Sequence, residues 1–384
     1  MQFTILTNTY NPHMKPLADA LYERLGSEFH FIQKYHLDSE RITLGWIEEK
    51  SPEYLLNLSD VSQEKECREL IINSDVVYFG ANPDMFVDIY DRIKTGKETY
   101  MHSERLFKHG ILQFFVPNFT KKYIKQRILP SYNDGVCILS ASSFLYYDYK
   151  RIMANTERIY RFGYFPVLKK YNIDDLLIQK KSELIRILCV GRFLKLKHFD
   201  DVIVVISKLY HKGYDNIRLE IIGGGYEDDN LHKLAKKLGT EKVITFSGTM
   251  TPDGVRKRME STNIFIMSSD HREGWGAVIN EAMNSGCAVL VSDAVGAAAY
   301  LIQNKINGLC YHYNNTFNLY DNLKYLISNS RVCETLGINA YNTILNLWNP
   351  ETAADRLLAF AKSRLSDITI NFDEGPLSQA ILIK

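Results

Sequence analysis

The sequence predicts an α/β protein built from two doubly wound parallel sheets in series, and three observations carry that prediction. Short apolar runs alternate with helical patterns from a strand candidate at 3–8 to one at 135–140. A polar, irregular stretch at 169–181 breaks the pattern, and the alternation restarts from 186–190 to 288–291. At 384 residues the chain exceeds one ordinary core and fits two domains. The expected division is 1–168 and 185–349, with a linker at 169–184 and a C-terminal helix and tail at 350–384.

Within the first half the strand candidates are 3–8, 29–32, 75–79, 99–102 and 135–140, with a helix over 16–25. In the second half they are 186–190, 219–222, 243–246, 264–267 and 288–291, each followed by a helical pattern, with helices starting near His198 and Asp228. The helical pattern at 350–365 comes after the second unit is complete and is expected to pack back across the first domain as a strap. Two such units in series leave a cleft between them, and ligands of doubly wound sheets bind beyond the carboxyl ends of the strands.

Composition narrows the function classes. Hydrophobic residues make up 46% and charged residues 24%, as in a soluble globular protein. A net charge of +1 gives no general reason for a nucleic-acid partner. No apolar stretch has the flanks of a signal peptide or reaches the ~18 residues of a membrane span, so the expected location is cytoplasmic. The six cysteines are scattered without the close spacing of a zinc or redox motif, and they read as packing residues. The ten histidines are dispersed, no His-Glu-x-x-His phrase occurs, and no metal site is expected.

The most informative phrase is Glu273-Gly274-Trp275-Gly276-Ala277-Val278-Ile279-Asn280-Glu281. A helix starting near Gly274 would leave its first amides unpaired and positively polarised, ready for a phosphate. Two carboxylates eight residues apart could then face one elongated ligand, because eight helical residues rise roughly 12 Å. Carboxylates accept hydrogen bonds from sugar hydroxyls, so a ligand with an anionic centre and hydroxyls at both ends, a nucleotide sugar, fits the phrase. The competing reading is an exposed amphipathic helix whose glutamates only favour its N-terminus.

Three more phrases stand at strand ends. Gly191-Arg192-Phe193-Leu194-Lys195-Leu196-Lys197-His198 offers a planar fork of donors at Arg192 and a point charge at Lys197, a pairing suited to a diphosphate, unless both are solvated loop cations. Gly223-Gly224-Gly225 opens a turn that either lets a ligand approach the backbone or only serves a tight strand-to-helix connection. Phe246-Ser247-Gly248-Thr249 closes another strand at the same edge, where it could present backbone to a nucleobase.

In order and spacing these phrases, with Glu281-Ala282-Met283 and Gly286, resemble the family 4 glycosyltransferases, strongly over residues 185–312 and elsewhere only in general architecture. The resemblance implies the GT-B fold, two Rossmann-like domains facing a cleft, and transfer with retention of configuration. Carried over by position, Arg192 and Lys197 would bind the donor diphosphate and Glu281 the ribose hydroxyls. Glu273 would hold the transferred sugar, with the backbone of Gly274, Trp275, Gly276 and Ala277 beside it. Gly224, Gly225, Ser247 and Gly248 complete the expected donor site. Three departures stand out: Trp275 where the family usually has Phe, His198 where it usually has Gly, and Gly296-Ala297-Ala298-Ala299-Tyr300 in place of a Gly-Gly-x-x-Glu phrase.

The first half holds the acceptor-side candidates. Asn11 and His13 lie in the polar loop after the first strand, where a GT-B cleft receives its acceptor, although His13 also reads as an ordinary loop histidine. His102 ends an inner strand candidate and resembles the family's active-site histidine more closely, and Glu104 is a cleft candidate or a partner for a neighbouring cation. From Arg105 through Asn133 no acidic residue occurs, while six basic residues interleave with aromatics. That pattern suits peripheral contact with an anionic inner-membrane face or a lipid-diphosphate acceptor, or else a buried apolar segment with a basic edge.

The expected activity is transfer of a sugar from a nucleotide diphosphate donor, UDP-linked, to a glycan or lipid-linked acceptor in bacterial surface polysaccharide synthesis. No Asp-x-Asp triplet occurs, so no metal or other cofactor is expected, and charge neutralisation falls to Arg192, Lys197 and the helix N-terminus. The rival readings are a GT-B epimerase or phosphorylase, and a nucleotide-sugar-binding partner subunit whose catalysis has lapsed.

Overall fold

In the computed structural model, which describes residues 1–36, 51–80 and 85–382, the apolar runs form two parallel sheets, one in each of two compact units. The first unit takes the described residues up to Val167 together with those from Trp348 onward. Its strands are β1 (Phe3–Thr7), β2 (Phe29–Gln33), β3 (Leu55–Asn57), β4 (Val76–Phe79), β5 (Glu98–Ser103), β6 (Val136–Ser140) and β7 (Ile159–Arg161), in the order β3-β2-β1-β4-β5-β6-β7. Every residue of β1, β4, β5 and β6 is buried, as strands covered by helices on both faces must be. Strand order reverses between β1 and β4.

The second unit, Leu168–Leu347, holds β8 (Ile185–Val190), β9 (Ile217–Ile222), β10 (Ile244–Phe246), β11 (Ile264–Met267), β12 (Ala288–Ser292) and β13 (Leu309–Tyr311). Their order is β10-β9-β8-β11-β12-β13, all parallel, with the reversal between β8 and β11. Ile187, Cys189, Ile221, Ile266 and Leu290 from the strands pack with Val202, Ile203 and Ile206 of the helix Phe199–Tyr210 and with Leu319 and Leu323 of the helix Thr316–Ser328.

The helix Pro350–Leu365 starts and stops where the pattern predicted. The Asn349 side chain caps it by accepting from the Thr352 amide at 2.7 Å. It returns to the first unit, where the Arg24 Nε meets Asp355 at 2.5 Å, the Phe360 ring lies 5.7 Å from Tyr100, and Arg364 forks onto Glu98 at 2.9 and 3.2 Å. Its buried Ala353, Leu357, Phe360 and Ala361 make it part of that unit's core.

Two expectations change. The stretch expected as linker contains the helix Ile173–Lys180, capped by the Asn172 side chain and belonging to the second unit. Its Lys180 is buried and donates to the carbonyls of Thr262 at 2.6 Å and Met259 at 3.0 Å, so a residue that read as polar surface is an internal tie. The helix expected from Gly274 begins instead at Val278 and ends at Asn284. Among the described residues no helix is long and apolar enough to cross a membrane, and the six cysteines are free thiols, four of them buried.

Candidate active site

Because strand order reverses between β8 and β11, the crevice beyond their carboxyl ends is where a ligand of the second unit is expected. The loop from Gly191 to His198 leaves β8 there, and the loop from Ser268 to Ala277 leaves β11. The two are tied together: the Ser268 hydroxyl donates to the Lys197 carbonyl at 2.5 Å, and the Asp270 amide to the Leu196 carbonyl at 2.9 Å. Lys197 Nζ lies 2.5 Å from Glu273 Oε2, with both side chains mostly shielded from solvent. The structure thus joins two of the predicted donor residues directly. Arg192 is exposed, and its guanidinium has no hydrogen bond or ion pair among the described residues.

Glu273 is not on a helix, so the two carboxylates do not share a helical face as the sequence arithmetic supposed. The reason is local packing. Gly276 sits at φ +86°, a conformation a right-handed helix does not admit, and a Cβ there would meet Met267 and Val295 at 3.2 Å. Trp275 is buried and donates from Nε1 to Asn280 Oδ1 at 2.9 Å, while its carbonyl accepts from the Ala297 amide at 3.1 Å. Its side chain anchors the loop, and the backbone of Gly274, Gly276 and Ala277 is left with amides that donate to nothing among the described residues. Glu281 stands on the short helix behind. Burial pushes its pKa above the usual carboxylate value, with Arg256 opposing, and no donor among the described residues reaches its carboxylate.

The glycine phrases resolve into a packing requirement. A Cβ on Gly223 would fall 1.9 Å from the Gly191 carbonyl oxygen, and one on Gly225 would fall 2.6 Å from that of Phe193. The loops after β8, β9 and β10 are laced by backbone bonds from Phe193 to Gly224 and from Gly223 to Gly248, each 2.8 Å. Gly248, at φ +65°, has open space beside it, and Gly224 meets only Thr249 at 3.5 Å. The Ser247 hydroxyl is engaged by Glu220 Oε1 at 2.6 Å.

Beside Lys197 lies a charged group that sequence reasoning did not pick out. His198 adopts φ 49° and ψ 39°, the left-handed conformation, which explains why glycine is usual there in the family it resembles. Its imidazole reaches Asp201 at 3.4 Å and Asp270 at 3.3 Å, and Tyr313 packs on it at 5.4 Å between centroids. Asp201 and then Asp270 raise the His198 pKa against the effect of burial. Burial disfavours the charge on Asp270, but the Arg272 fork, at 3.1 Å and closer, and His198 hold its carboxyl below the usual range. The visible signal for Asp270 was its place directly beyond the 264–267 strand candidate. Among the described residues, His198, Asp200 and Asp201 also gather three potential metal-ligand atoms within 4.8 Å of one another. A hollow of about 450 Å³ adjoins them, lined by Lys195, His198, Asp200, Glu227, Arg272 and Tyr313 and not by Arg192, Lys197, Glu273 or Glu281.

In the first unit, His102 lies near the end of β5 and is buried between Tyr164, Tyr78 and Phe162, at 5.1, 5.6 and 6.0 Å between ring centroids. Burial pushes its pKa down to about 3, so the ring is neutral at physiological pH. Its Nε2 and the Tyr78 hydroxyl are both buried without a hydrogen-bond partner among the described residues. Tyr164 also donates to Glu104 Oε1 at 3.2 Å and stands 6.3 Å from the His13 ring, and Glu104 pairs with Lys108. Asn11 spends its side chain on its own loop, accepting from the His13 amide at 3.0 Å and donating to the Thr9 carbonyl at 3.2 Å. The structure therefore gathers His102, Glu104 and His13 around Tyr164 and assigns Asn11 to loop geometry.

Residues 174–343 match the family model described as Glycosyl transferases group 1. The lipopolysaccharide core biosynthesis glycosyltransferase LpsE of Rhizobium meliloti (strain 1021) is 26% identical over 178 residues, 46% of this chain and 50% of that protein. An uncharacterized glycosyltransferase of Haemophilus influenzae is 32% identical over 143 residues, 37% of this chain and 39% of that protein. The chain thus spans half or less of the length of these curated relatives. Among solved structures, Anabaena Alr3699/HepE in complex with UDP superposes with a TM-score of 0.69 at 14% identity, over 94% of this chain and 100% of that one. WaaG, a glycosyltransferase involved in lipopolysaccharide biosynthesis, gives 0.64 at 16% identity, over 92% and 99%. The chain has the GT-B fold of two Rossmann-like units, and the match to glycosyl transferases group 1 falls on the unit that holds Arg192, Lys197, Glu273 and Glu281.

Proposed function

We propose that this chain is a retaining family 4 glycosyltransferase that moves a hexose from a UDP-linked donor to a glycan or lipid-linked acceptor in bacterial surface polysaccharide synthesis. The observation that carries the reading is the Lys197–Glu273 contact, which brings two phrases 76 residues apart to the switch point of one sheet. In the reaction the bond from the sugar's anomeric carbon to the diphosphate breaks, a bond to the acceptor oxygen forms, and the acceptor proton leaves. Negative charge builds on the departing diphosphate. Arg192 and Lys197 are the cations beside that position, Glu273 takes the sugar hydroxyls, and Glu281 takes the ribose. His102, neutral and with Nε2 unpartnered among the described residues, serves the acceptor side as a hydrogen-bonding group. The UDP bound by HepE and the lipopolysaccharide role of LpsE favour the donor base and the pathway class.

We assign charge neutralisation to the two cations rather than to a divalent ion, so turnover after EDTA treatment should equal that before it. Thermal shift against a panel of nucleotide sugars tests the donor. A donor at 100-fold its dissociation constant adds roughly 2.7 kcal/mol to the unit that binds it. With the best donor and an acceptor panel, Arg192→Ala and Lys197→Ala should each lose ~10²–10³ in rate while keeping the melting temperature. No shift with any nucleotide sugar, or near-normal turnover in both variants, ends the reading. One observation favours a second: Tyr300, in place of the family's acidic phrase, is buried and packs 6.1 Å from Trp275. Donor binding with neither hydrolysis nor transfer across the panel would make the chain a binding subunit.

A further inference from the structure

We infer that Arg256 is a positioning residue of the donor site: it ties down the end of the helix that carries Glu281 and sets a positive charge beside that carboxylate. The inference rests on the reading of Glu281 as the ribose contact and adds to it a residue outside every phrase that pointed to the site. Arg256 stands on the helix Pro252–Glu260, which starts at Pro252 with the Thr251 hydroxyl accepting from the Gly254 amide at 3.2 Å. The run Arg256-Lys257-Arg258 has the look of a solvated helix face. The structure splits it: Lys257 and Arg258 are exposed, whereas Arg256 is buried. A guanidinium leaves water only where hydrogen bonds replace its hydration, so its partners show what it holds. Its Nη1 faces Asn284 Oδ1 at 2.9 Å, the Glu281 carbonyl at 3.2 Å and the Ser285 hydroxyl at 3.5 Å.

All three partners belong to the last turn of the helix Val278–Asn284 and the residue after it, where backbone carbonyls need partners from outside the helix and the negative end of its dipole lies. Asn284 is fixed in turn, accepting from the Lys169 amide and donating to the Lys169 carbonyl, each at 2.9 Å. A helix of seven residues has little orientation of its own, so these ties set the direction in which the Glu281 side chain leaves it. The charge matters as much as the tie. Burial favours the neutral form of Glu281, and Arg256 is the group that opposes it. Facing Arg256 from other elements are Tyr171, whose hydroxyl donates to Glu260 at 2.6 Å, and Cys287, directly before β12. Burial raises the pKa of both, so neither competes for the guanidinium as an anion, and Glu260 pairs with Lys169 at 3.4 Å. Sugar hydroxyls donate best to an ionised carboxylate, so a ribose contact at Glu281 needs what Arg256 supplies.

The test is the affinity of the full chain for UDP, titrated calorimetrically from about pH 5 to about pH 9. Glu281→Gln supplies the profile of the ligand's own phosphate. Arg256→Met should leave the carboxyl neutral to higher pH. Its deficit against the wild type should be about tenfold or more at the acid end and should close toward the alkaline end, as expected when a midpoint rises by about one pH unit. Arg256→Lys keeps the charge but not the fork, so it should melt lower and yet follow the wild-type profile. In the Glu281→Gln background, Arg256→Met should change UDP affinity by less than about twofold, because the residue acts through Glu281. A wild-type profile in Arg256→Met overturns the inference. So does a loss that is the same at every pH, which a purely structural tie would give, or a full loss in the Glu281→Gln background. Should Arg256→Met not fold, Arg256→Gln retains a donor for the Glu281 carbonyl and is held to the same expectation. A wild type that does not bind UDP ends the donor reading and the inference together, whereas binding with an unchanged profile ends the inference alone.

Discussion

Replacing His198 with glycine sets two opposed effects against each other, and pH decides which wins. The residue holds φ 49° and ψ 39°, a conformation that costs an ordinary L-residue roughly 1–2 kcal/mol and glycine almost nothing. Glycine gives back roughly 0.5–1 kcal/mol through the entropy of the unfolded chain, so the backbone gain is about 0.5–1 kcal/mol. Against it stands the loss of the imidazole contacts to Asp201 at 3.4 Å and Asp270 at 3.3 Å, together about 1 kcal/mol when the ring is charged, since the His198 side chain is 22% exposed. The His198 pKa is raised in the folded protein. Its stabilisation is therefore complete below the ordinary histidine value of about 6.5 and is lost as pH rises through the raised one. Asp200, Asp201, Asp270 and Tyr313 are the groups that face the imidazole; Asp270 is held below the usual carboxylate range and the pKa of Tyr313 is raised, so neither titrates in that window. His198→Gly should accordingly match or fall below the wild type at pH near 5.5 and exceed it near pH 9. For a unit of this size 1 kcal/mol is about 2–4 °C, so the difference in melting temperature should move by that much across the range. Scanning fluorimetry of both proteins at intervals of pH measures it in the transition that donor binding shifts. A difference that stays constant with pH, or a glycine variant several degrees less stable at pH 9, would refute the reasoning.

Three further outcomes follow from the same geometry. Glu281 has a raised pKa because of burial, so its ionised form weakens the folded protein as pH rises through that value. Glu281→Gln should melt higher than the wild type at neutral pH yet show a smaller donor-induced shift, and a lower melting point with full donor affinity would contradict both statements. His102, pushed down to about 3 by burial, contributes stability that is present above about 6.5 and lost as pH falls toward 3. His102→Gln should remove several kcal/mol of acid destabilisation over that interval, seen as a flatter profile of denaturant midpoint against pH. Gly223→Ala places a Cβ 1.9 Å from the Gly191 carbonyl and should cost upwards of ~4 kcal/mol, whereas Gly248→Ala meets open space and should cost about 1 kcal/mol for its φ of +65°. Equal melting points for those two variants would show that the loops shift apart freely.

The features that were legible in the sequence are those a short window determines. Buried inner strands are mostly apolar runs, which is why β1, β4, β6, β8, β11 and β12 stood where the pattern put them. The strands that escaped notice, β3, β7 and β13, are three residues each at the edges of the sheets, and pairing with a neighbour defines them more than their own composition does. The helix Ile173–Lys180 was hidden because Lys180 reads as surface until the carbonyls of Met259 and Thr262, about 80 residues away, come to meet it.

The same distinction separates the parts of the candidate site. Arg192, Lys197, Glu273 and Glu281 could be named from spacing, but their geometry could not: Gly276 turns to positive φ, with Met267 and Val295 packed where a Cβ would stand, and the helix starts only after it. The two departures from the family pattern at Trp275 and Tyr300 looked independent on paper. Their rings lie 6.1 Å apart, both side chains are buried, and the Trp275 carbonyl takes the amide of Ala297, three residues before Tyr300. They form one packing arrangement between the loop that carries Trp275 and the short helix Ala298–Leu301, in which the two aromatic rings lie against each other. An acid at 300 would be a buried charge beside an indole, so the exchange at 300 belongs with the one at 275. On the proposed reading both exchanges fall at the sugar end of the donor site, and the third departure, His198, falls beside Lys197.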